Sequence, residues 1–186
     1  MRLSRFFVLF SCVAINLIQL AHTSPLFDIK SPDVKRQDFN MSIPDVWLNE
    51  GQNMESINIQ LGSVSIAISG PLLSELNMIL DRVIKIANET AESFDLNPLL
   101  TSAITPFVEI LASTIKTMLR RAQSPLGPVL SALLGGSNLD QSISSFLEII
   151  KSRYPGIFPS ITVPLENDGP QLHNLGLPLT LSVLGV

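Results

Sequence analysis

The sequence predicts a mainly helical protein, in which three amphipathic helices form an antiparallel bundle. Three stretches in the middle of the chain repeat apolar residues at spacings of three and four, which is typical of helices with one buried side. The segments on either side, residues 56–69 and 161–183, alternate apolar and polar residues, which is typical of strands. We therefore expect a short β-hairpin before the helices and extended or β segments after them. An α+β architecture is the alternative.

Residues 1–23 have the features of a secretion signal. Arg2 and Arg5 precede an apolar run, and small residues occupy the positions before a cleavage point that follows Thr23. A membrane-spanning helix is the competing interpretation, but Asn16 and Gln19 interrupt the run. We therefore predict a secreted, extracellular protein with no transmembrane span in the mature chain.

The composition of the mature chain excludes several classes of function. Removing residues 1–23 leaves ten basic and sixteen acidic residues, a formal charge of −6, which disfavours a nucleic-acid partner. It also removes the one cysteine, so disulfides and thiolate metal sites are excluded. Only 15% of the full chain is charged, and its mean hydropathy is +0.37. Such a weakly charged surface favours an apolar ligand, a hydrophobic surface or self-association as partner.

Residues 24–55 are predicted to form an extended N-terminal arm, because prolines and acidic residues interrupt any period. Lys35 and Arg36 form a dibasic pair in this arm, a candidate processing site that would make residues up to Arg36 a propeptide. The alternative is that Lys35 and Arg36 are two solvent-exposed charges that no protease recognises. Asn40 begins an N-glycosylation pattern. Trp47 is expected to anchor the end of the arm onto the core.

The remaining residues, 56–186, are predicted to be a single helical domain with flanking β segments. It would open with a hairpin, because the alternation changes phase at Gly62-Ser63, and a two-residue turn there puts all apolar side chains on one face. A single bulged strand is the alternative. The six apolar residues are Ile57, Ile59, Leu61, Val64, Ile66 and Ile68.

The three long helices are predicted over residues 71–94, 98–122 and 139–154. The first two should be antiparallel neighbours because their connection is short. Pro106 should kink the second helix or restart it with Thr105 as cap, and Ser137 to Asp140 resembles a capping box for the third. Asn88 begins a second glycosylation pattern. The predicted packing or ligand-binding faces consist of Leu73, Leu76, Leu80, Val83, Ile104, Val108, Leu111, Ile115, Met118, Ile143, Phe146 and Ile150.

The smaller segments receive separate predictions. Residues 128–134 should form a short helix ended by paired glycines. The alternating C-terminal residues should form edge strands, because Pro164 and Pro178 cannot donate to a sheet. A GPI anchor is the competing interpretation of the apolar residues 175–186, with small residues at 167–169 upstream. The spacer is short and the alternation is regular, so we favour the strand.

No catalytic constellation is found in the sequence. His173 is the single histidine after residue 23, and it lies in a polar turn. The sequence contains no G-x-S-x-G motif. No catalytic residues, metal ligands or cofactors are predicted, and an enzyme is not expected. We predict a secreted, non-enzymatic protein that binds lipid-like ligands or hydrophobic surfaces, or itself, through apolar helical surface. The alternatives are a precursor processed at Lys35-Arg36 and a GPI-anchored cell-surface protein. The sequence leaves open whether the apolar faces form a closed core.

Overall fold

The computed structural model describes residues 42–63, 69–89, 98–125 and 127–186. The signal segment with Thr23, the dibasic pair Lys35-Arg36 and the glycosylation pattern at Asn40 lie outside these residues. Within them the chain is mainly helical, as the sequence predicts, and no strand occurs. The described residues form the helices α1 (Ile43–Ser63), α2 (Ser69–Glu89), α3 (Pro98–Ala122), α4 (Gly127–Gly135), α5 (Leu139–Arg153), α6 (Pro159–Leu165), α7 (Gly169–Leu175) and α8 (Pro178–Leu184).

Proline marks the first turn of every described helix except α5. At that position its missing N–H removes no helical hydrogen bond, and its fixed φ favours the first turn. The prolines therefore divide the chain into short helical segments, and they explain why helices resume so soon after each break. They are Pro44, Pro71, Pro98, Pro128, Pro159, Pro170 and Pro178.

Helix α1 packs along α3 in the same direction. Trp47 contacts Phe107 near the start of both helices, with ring centroids 5.4 Å apart. Further along, the Asn58 Nδ2 atom donates a hydrogen bond of 3.0 Å to the Ser113 Oγ atom. This pairing is the most extensive between helices of the described chain. It makes α3 a central helix of the fold.

An aromatic cluster joins α1, α3 and α5 in the core. Trp47, Phe107 and Phe146 are fully buried and meet pairwise, and Phe107 and Phe146 are in edge contact at 5.3 Å between centroids. Such pairs contribute about 0.5–1.5 kcal/mol beyond the area they bury. The Trp47 Nε1 donor has no hydrogen-bond partner in the described chain, which offsets part of this gain.

Helix α2 connects α1 to α5. Near the start of α1, the buried Glu50 pairs with Arg82 near the end of α2 at 3.3 Å, so α1 and α2 are antiparallel. On α5, Ser142 donates to Asp81 at 2.9 Å, and Arg153 donates to the Ala87 carbonyl oxygen one and a half turns further along α2. Helices α2 and α5 therefore run in the same direction.

The three-helix antiparallel bundle is not found. The three predicted helices exist, and the second has the predicted bounds, but α2 and α3 are not each other's main neighbours. Helix α3 packs chiefly against α1, and α2 packs against α5 and α1. Residues 43–55, which were expected in an extended arm, belong instead to α1. This helix, which buries one face, changes the arrangement of the other helices.

The predicted hairpin is wrong for its described part. Residues 56–63 continue α1, while residues 64–68 lie outside the described chain. Ile57 and Leu61 are buried, whereas Ile59 between them is 65% exposed. Two residues four apart fit both the helical period and strict alternation. The buried Trp47 and Met54 extend the helical pattern and explain why the helix forms.

The predicted C-terminal strands are also wrong, because residues 159–184 form α6, α7 and α8. Ile161 and Leu165 are buried, while Val163 between them is 67% exposed. In α8 the buried residues are Thr180 and Leu184, and Leu179 is 46% exposed. Of the two prolines interpreted as edge-strand residues, Pro178 begins α8 and Pro164 lies inside α6.

Two residues that were predicted to cap helices, Thr105 and Asp140, make other hydrogen bonds. Helix α3 continues through Pro106, and the Thr105 hydroxyl donates to the Thr101 carbonyl oxygen at 2.8 Å, so Thr105 is not a cap. At α5, the first-turn Asp140 does not complete a capping box. Its carboxylate accepts hydrogen bonds from Leu179 and Thr180 of α8. The Asp140 carboxylate therefore caps the start of α8 and not the start of its own helix, α5.

Candidate functional site

The predicted apolar faces pack inside the protein. All twelve residues proposed for packing or ligand binding are buried and belong to the hydrophobic core. Helix α3 is long and apolar enough to cross a membrane by length and composition, but half of its most apolar window is buried against other helices. The faces of α2, α3 and α5 therefore serve packing, and Leu73 also lines the second of the two grooves described below.

A groove between α3 and α6 is the candidate site. It encloses about 620 Å³ and is open to solvent. The volume lies within the range of about 300–1,000 Å³ found for small-molecule sites, but the groove is more open than such clefts, so a ligand would stay partly exposed to solvent. Residues from two turns of α3 form one wall and residues of α6 form the other. The lining residues are Glu109, Ala112, Ser113, Lys116, Pro159, Ser160, Val163 and Pro164.

The groove is widest where the side chains are small. Ala112 and Ser113 occupy the middle of the α3 wall, and they leave space that larger residues would fill. On the opposite wall, Pro159 begins α6 and Pro164 lies in its last turn. Val163 points away from the core with 67% of its surface exposed. The result is a mostly apolar trough between two helices.

Opposite charges mark the two ends of the α3 wall. Glu109 and Lys116 are seven residues apart, two turns of the same face, or about 10.5 Å along the helix axis. Within the described chain neither side chain makes an ion pair or a hydrogen bond. Arg120 follows Lys116 by one turn, and its Nε atom donates to the Lys116 carbonyl oxygen at 3.3 Å. The C-terminal end of the groove is therefore positive.

Ser113 supplies a polar group in the middle of the groove. Its hydroxyl oxygen accepts a hydrogen bond from Asn58 of α1, so its own proton remains available to donate. The Asn58 Oδ1 atom is buried and has no partner among the described residues. The serine thus combines a fixed position with a free donor.

A second groove lies between α2, α4 and the start of α5. It encloses about 330 Å³ and is lined by Gly70, Leu73, Ser74, Asn77, Leu133, Gly136, Ser137 and Asn138. The Asn77 Oδ1 atom is buried without a partner in the described chain. This groove is smaller and carries no charged lining residue, so it is the weaker candidate.

The histidine and the tyrosine of the described residues lie outside the linings of the two grooves. No three His, Cys, Asp or Glu side chains in that part of the chain cluster closely enough to hold a metal ion. His173 lies exposed in the last turn of α7. Burial raises the pKa of the Tyr154 phenol, partly offset by the Arg153 guanidinium, so this phenol stays neutral at physiological pH.

The groove residues were not recognised from sequence. Val163 was assigned to an alternating strand, and Glu109, Ser113 and Lys116 were unremarkable polar positions on α3. The available signal was Pro159, which suits the first turn of a helix, followed by Ile161 and Leu165 at helical spacing. The predicted glycosylation residue Asn88 lies exposed in the last turn of α2.

No protein-family model, curated protein or solved structure matches this chain. The physical properties of the groove and of the exposed surface are therefore the basis for a functional proposal.

Proposed function

We propose that this is a secreted, non-enzymatic protein that binds the aliphatic part of a lipid-like ligand in the groove between α3 and α6. The observation that carries the proposal is the exposed, apolar Val163 beside Ala112, Pro159 and Pro164 in a groove of adequate volume. Fully burying an exposed valine side chain contributes about 1.5–3 kcal/mol. The exposed Pro159 and the half-buried Pro164 add smaller apolar areas, which together support weak, reversible binding.

The composition of the groove supports binding rather than catalysis. Its two hydroxyls, on Ser113 and Ser160, have no histidine beside them among the lining residues. A serine nucleophile requires an adjacent base. Glu109 and Lys116 lie two turns apart along the wall, which disfavours their joint action in proton transfer at one ligand atom.

Displacement of a fluorescent fatty acid from the purified mature protein tests the proposal. Val163→Ser should weaken binding about fivefold or more, because it removes most of one apolar contact. Val129→Ser is the matched control, since Val129 is also an exposed valine but lies on α4. The proposal fails if the protein binds no fatty acid, or if both variants reduce binding equally.

The alternatives concern processing and location. Cleavage after Arg36 would release a propeptide and leave residues 37–186, which include every described helix. A GPI anchor would require removal of the C-terminal segment, and the burial of Leu177, Thr180 and Leu184 favours its retention. Intact mass of the secreted protein separates these cases, because a chain ending at Val186 excludes the anchor.

A further inference from the structure

We infer that the ligand of the α3–α6 groove is an anionic single-chain amphiphile, with its acidic head group at Lys116 and its chain directed towards Glu109. The inference rests on the proposed function of the groove and adds the charge and the orientation of the ligand. It follows from the distribution of charge along one face of α3.

Lys116 is suited to bind an acidic head group. Lys116 lines the groove and forms no ion pair in the described chain, and Arg120 adds positive charge one turn further. An anion that binds at this end of the groove does not have to break an existing ion pair of Lys116. A fatty-acid carboxylate is ionised at neutral pH and accepts hydrogen bonds only.

Ser113 can assist Lys116, because the two residues are three apart and lie on the same face of α3. The Asn58 amide occupies one acceptor position of the serine hydroxyl and leaves its proton free for a carboxylate oxygen. Ser113, in the middle of the groove, then adds a neutral donor about one turn before the charged Lys116. This arrangement favours an acid over an uncharged alcohol of equal chain length.

Glu109 fixes the orientation of the ligand. It lies two turns before Lys116 at the other end of the same wall, without an ion pair among the described residues. An anionic head group placed there would meet a like charge. The α3 lining residues between the two charges, Ala112 and Ser113, are small, so we place the aliphatic chain along the exposed Val163 of α6.

The test compares dodecanoate, dodecanol and dodecyltrimethylammonium, which share a chain and differ in head-group charge. Calorimetry on the intact mature protein should give the order dodecanoate, then dodecanol, then the cation. Lys116→Gln should weaken dodecanoate about fivefold and leave dodecanol unchanged. Lys85→Gln is the control, because Lys85 is an exposed lysine on α2. In about 1 M salt the preference of the unmodified protein for dodecanoate should shrink.

The outcomes separate the two proposals. If none of the three amphiphiles binds, the proposed function fails. If all three bind equally and Lys116→Gln changes nothing, the groove binds apolar chains but this inference is overturned. The orientation has its own readout, because a nitroxide at the chain end should broaden the amide resonances of Glu109 more than those of Lys116. The opposite pattern would reverse the assigned direction.

Discussion

The side chain of Asn88 is oriented by a residue of another helix. The Arg153 Nη2 atom donates to the Asn88 Oδ1 atom at 3.4 Å, and its Nη1 atom donates to the Ala87 carbonyl oxygen. A guanidinium only donates, so the amide oxygen must face it. The Asn88 nitrogen, which would carry an N-linked glycan, therefore lies on the other side of the amide.

We expect Asn88 to be glycosylated when the protein passes through a eukaryotic secretory pathway, because the residue is exposed and its pattern is complete. Thr90→Ala should remove one glycan, as seen by mass spectrometry before and after enzymatic deglycosylation. Asn53→Gln is the control, since Asn53 begins no glycosylation pattern. An unmodified Asn88 peptide from the secreted protein would contradict the prediction.

Single residues also show why the sequence misled at three places. Ile59, Val163 and Leu179 each lie in the middle of an alternating run, and each is exposed on a helix. Their apolar neighbours two positions away on either side are four residues apart, a spacing that serves both a strand and a helix. Only the middle residue distinguishes the two structures, and sequence does not show its exposure. These residues are apolar without a role in the core.

Helix α8 is held at both ends by side chains of α5. At its start, the Asp140 carboxylate accepts hydrogen bonds from the Leu179 and Thr180 amides at 2.9 Å and from the Thr180 hydroxyl at 2.8 Å. At its end, the Lys151 Nζ atom donates to the Val183 carbonyl oxygen at 3.2 Å. The negative and positive groups match the helix dipole. A helix of seven residues needs such support, because short helices are marginal alone.

Asp140→Ala should lower the free energy of unfolding by about 1–2 kcal/mol, because it removes the cap of α8 and leaves three donors without a partner. Hydrogen exchange should show the largest increase at the amides of α8, with α3 unchanged. Glu148→Ala is the matched control, since it removes an exposed carboxylate from the same helix. Equal effects of the two substitutions would show that α8 does not depend on Asp140.

Helices α2 to α5 could be predicted from the sequence, whereas the 21-residue α1 and the seven-residue helices α6, α7 and α8 could not. The bounds of α3 agree with the sequence prediction, and those of α4 and α5 differ from it by one residue at one or both ends. Helix α2 begins two residues before its predicted start, and its predicted residues 90–94 lie outside the described residues. A long amphipathic stretch repeats the helical period several times, so the pattern distinguishes a helix from a strand. The seven-residue helices α6, α7 and α8 span less than two full repeats of the pattern, and their stability depends on contacts such as that of Asp140, which no local pattern reveals.

The arrangement of the whole molecule depends on α1. This helix provides Trp47 to the aromatic cluster, pairs with α3 and links to Arg82 of α2 through Glu50. None of these contacts is local in sequence, so the pairing of helices could not be derived from the helical periods alone. For the same reason the groove between α3 and α6 could not be predicted, because its residues come together only through the packing of the two helices.

The chain from Gln37 onward should fold with the same stability as the chain from Ser24. The described hydrophobic core begins at Trp47 and ends at Leu184, and residues 41–186 form one compact unit. We therefore expect the free energies of unfolding of the two chains to differ by less than about 0.5 kcal/mol. Urea unfolding can be followed through Trp47, the single tryptophan, which is buried in the folded state.

Removing residues 24–54 instead deletes Trp47 and most of α1, and this shorter chain should fail to fold cooperatively. A loss of more than about 1 kcal/mol on removal of residues 24–36 would mean that this segment contributes to the core. Processing after Arg36 would then destabilise the protein, and the dibasic pair would be a poor candidate for a maturation site.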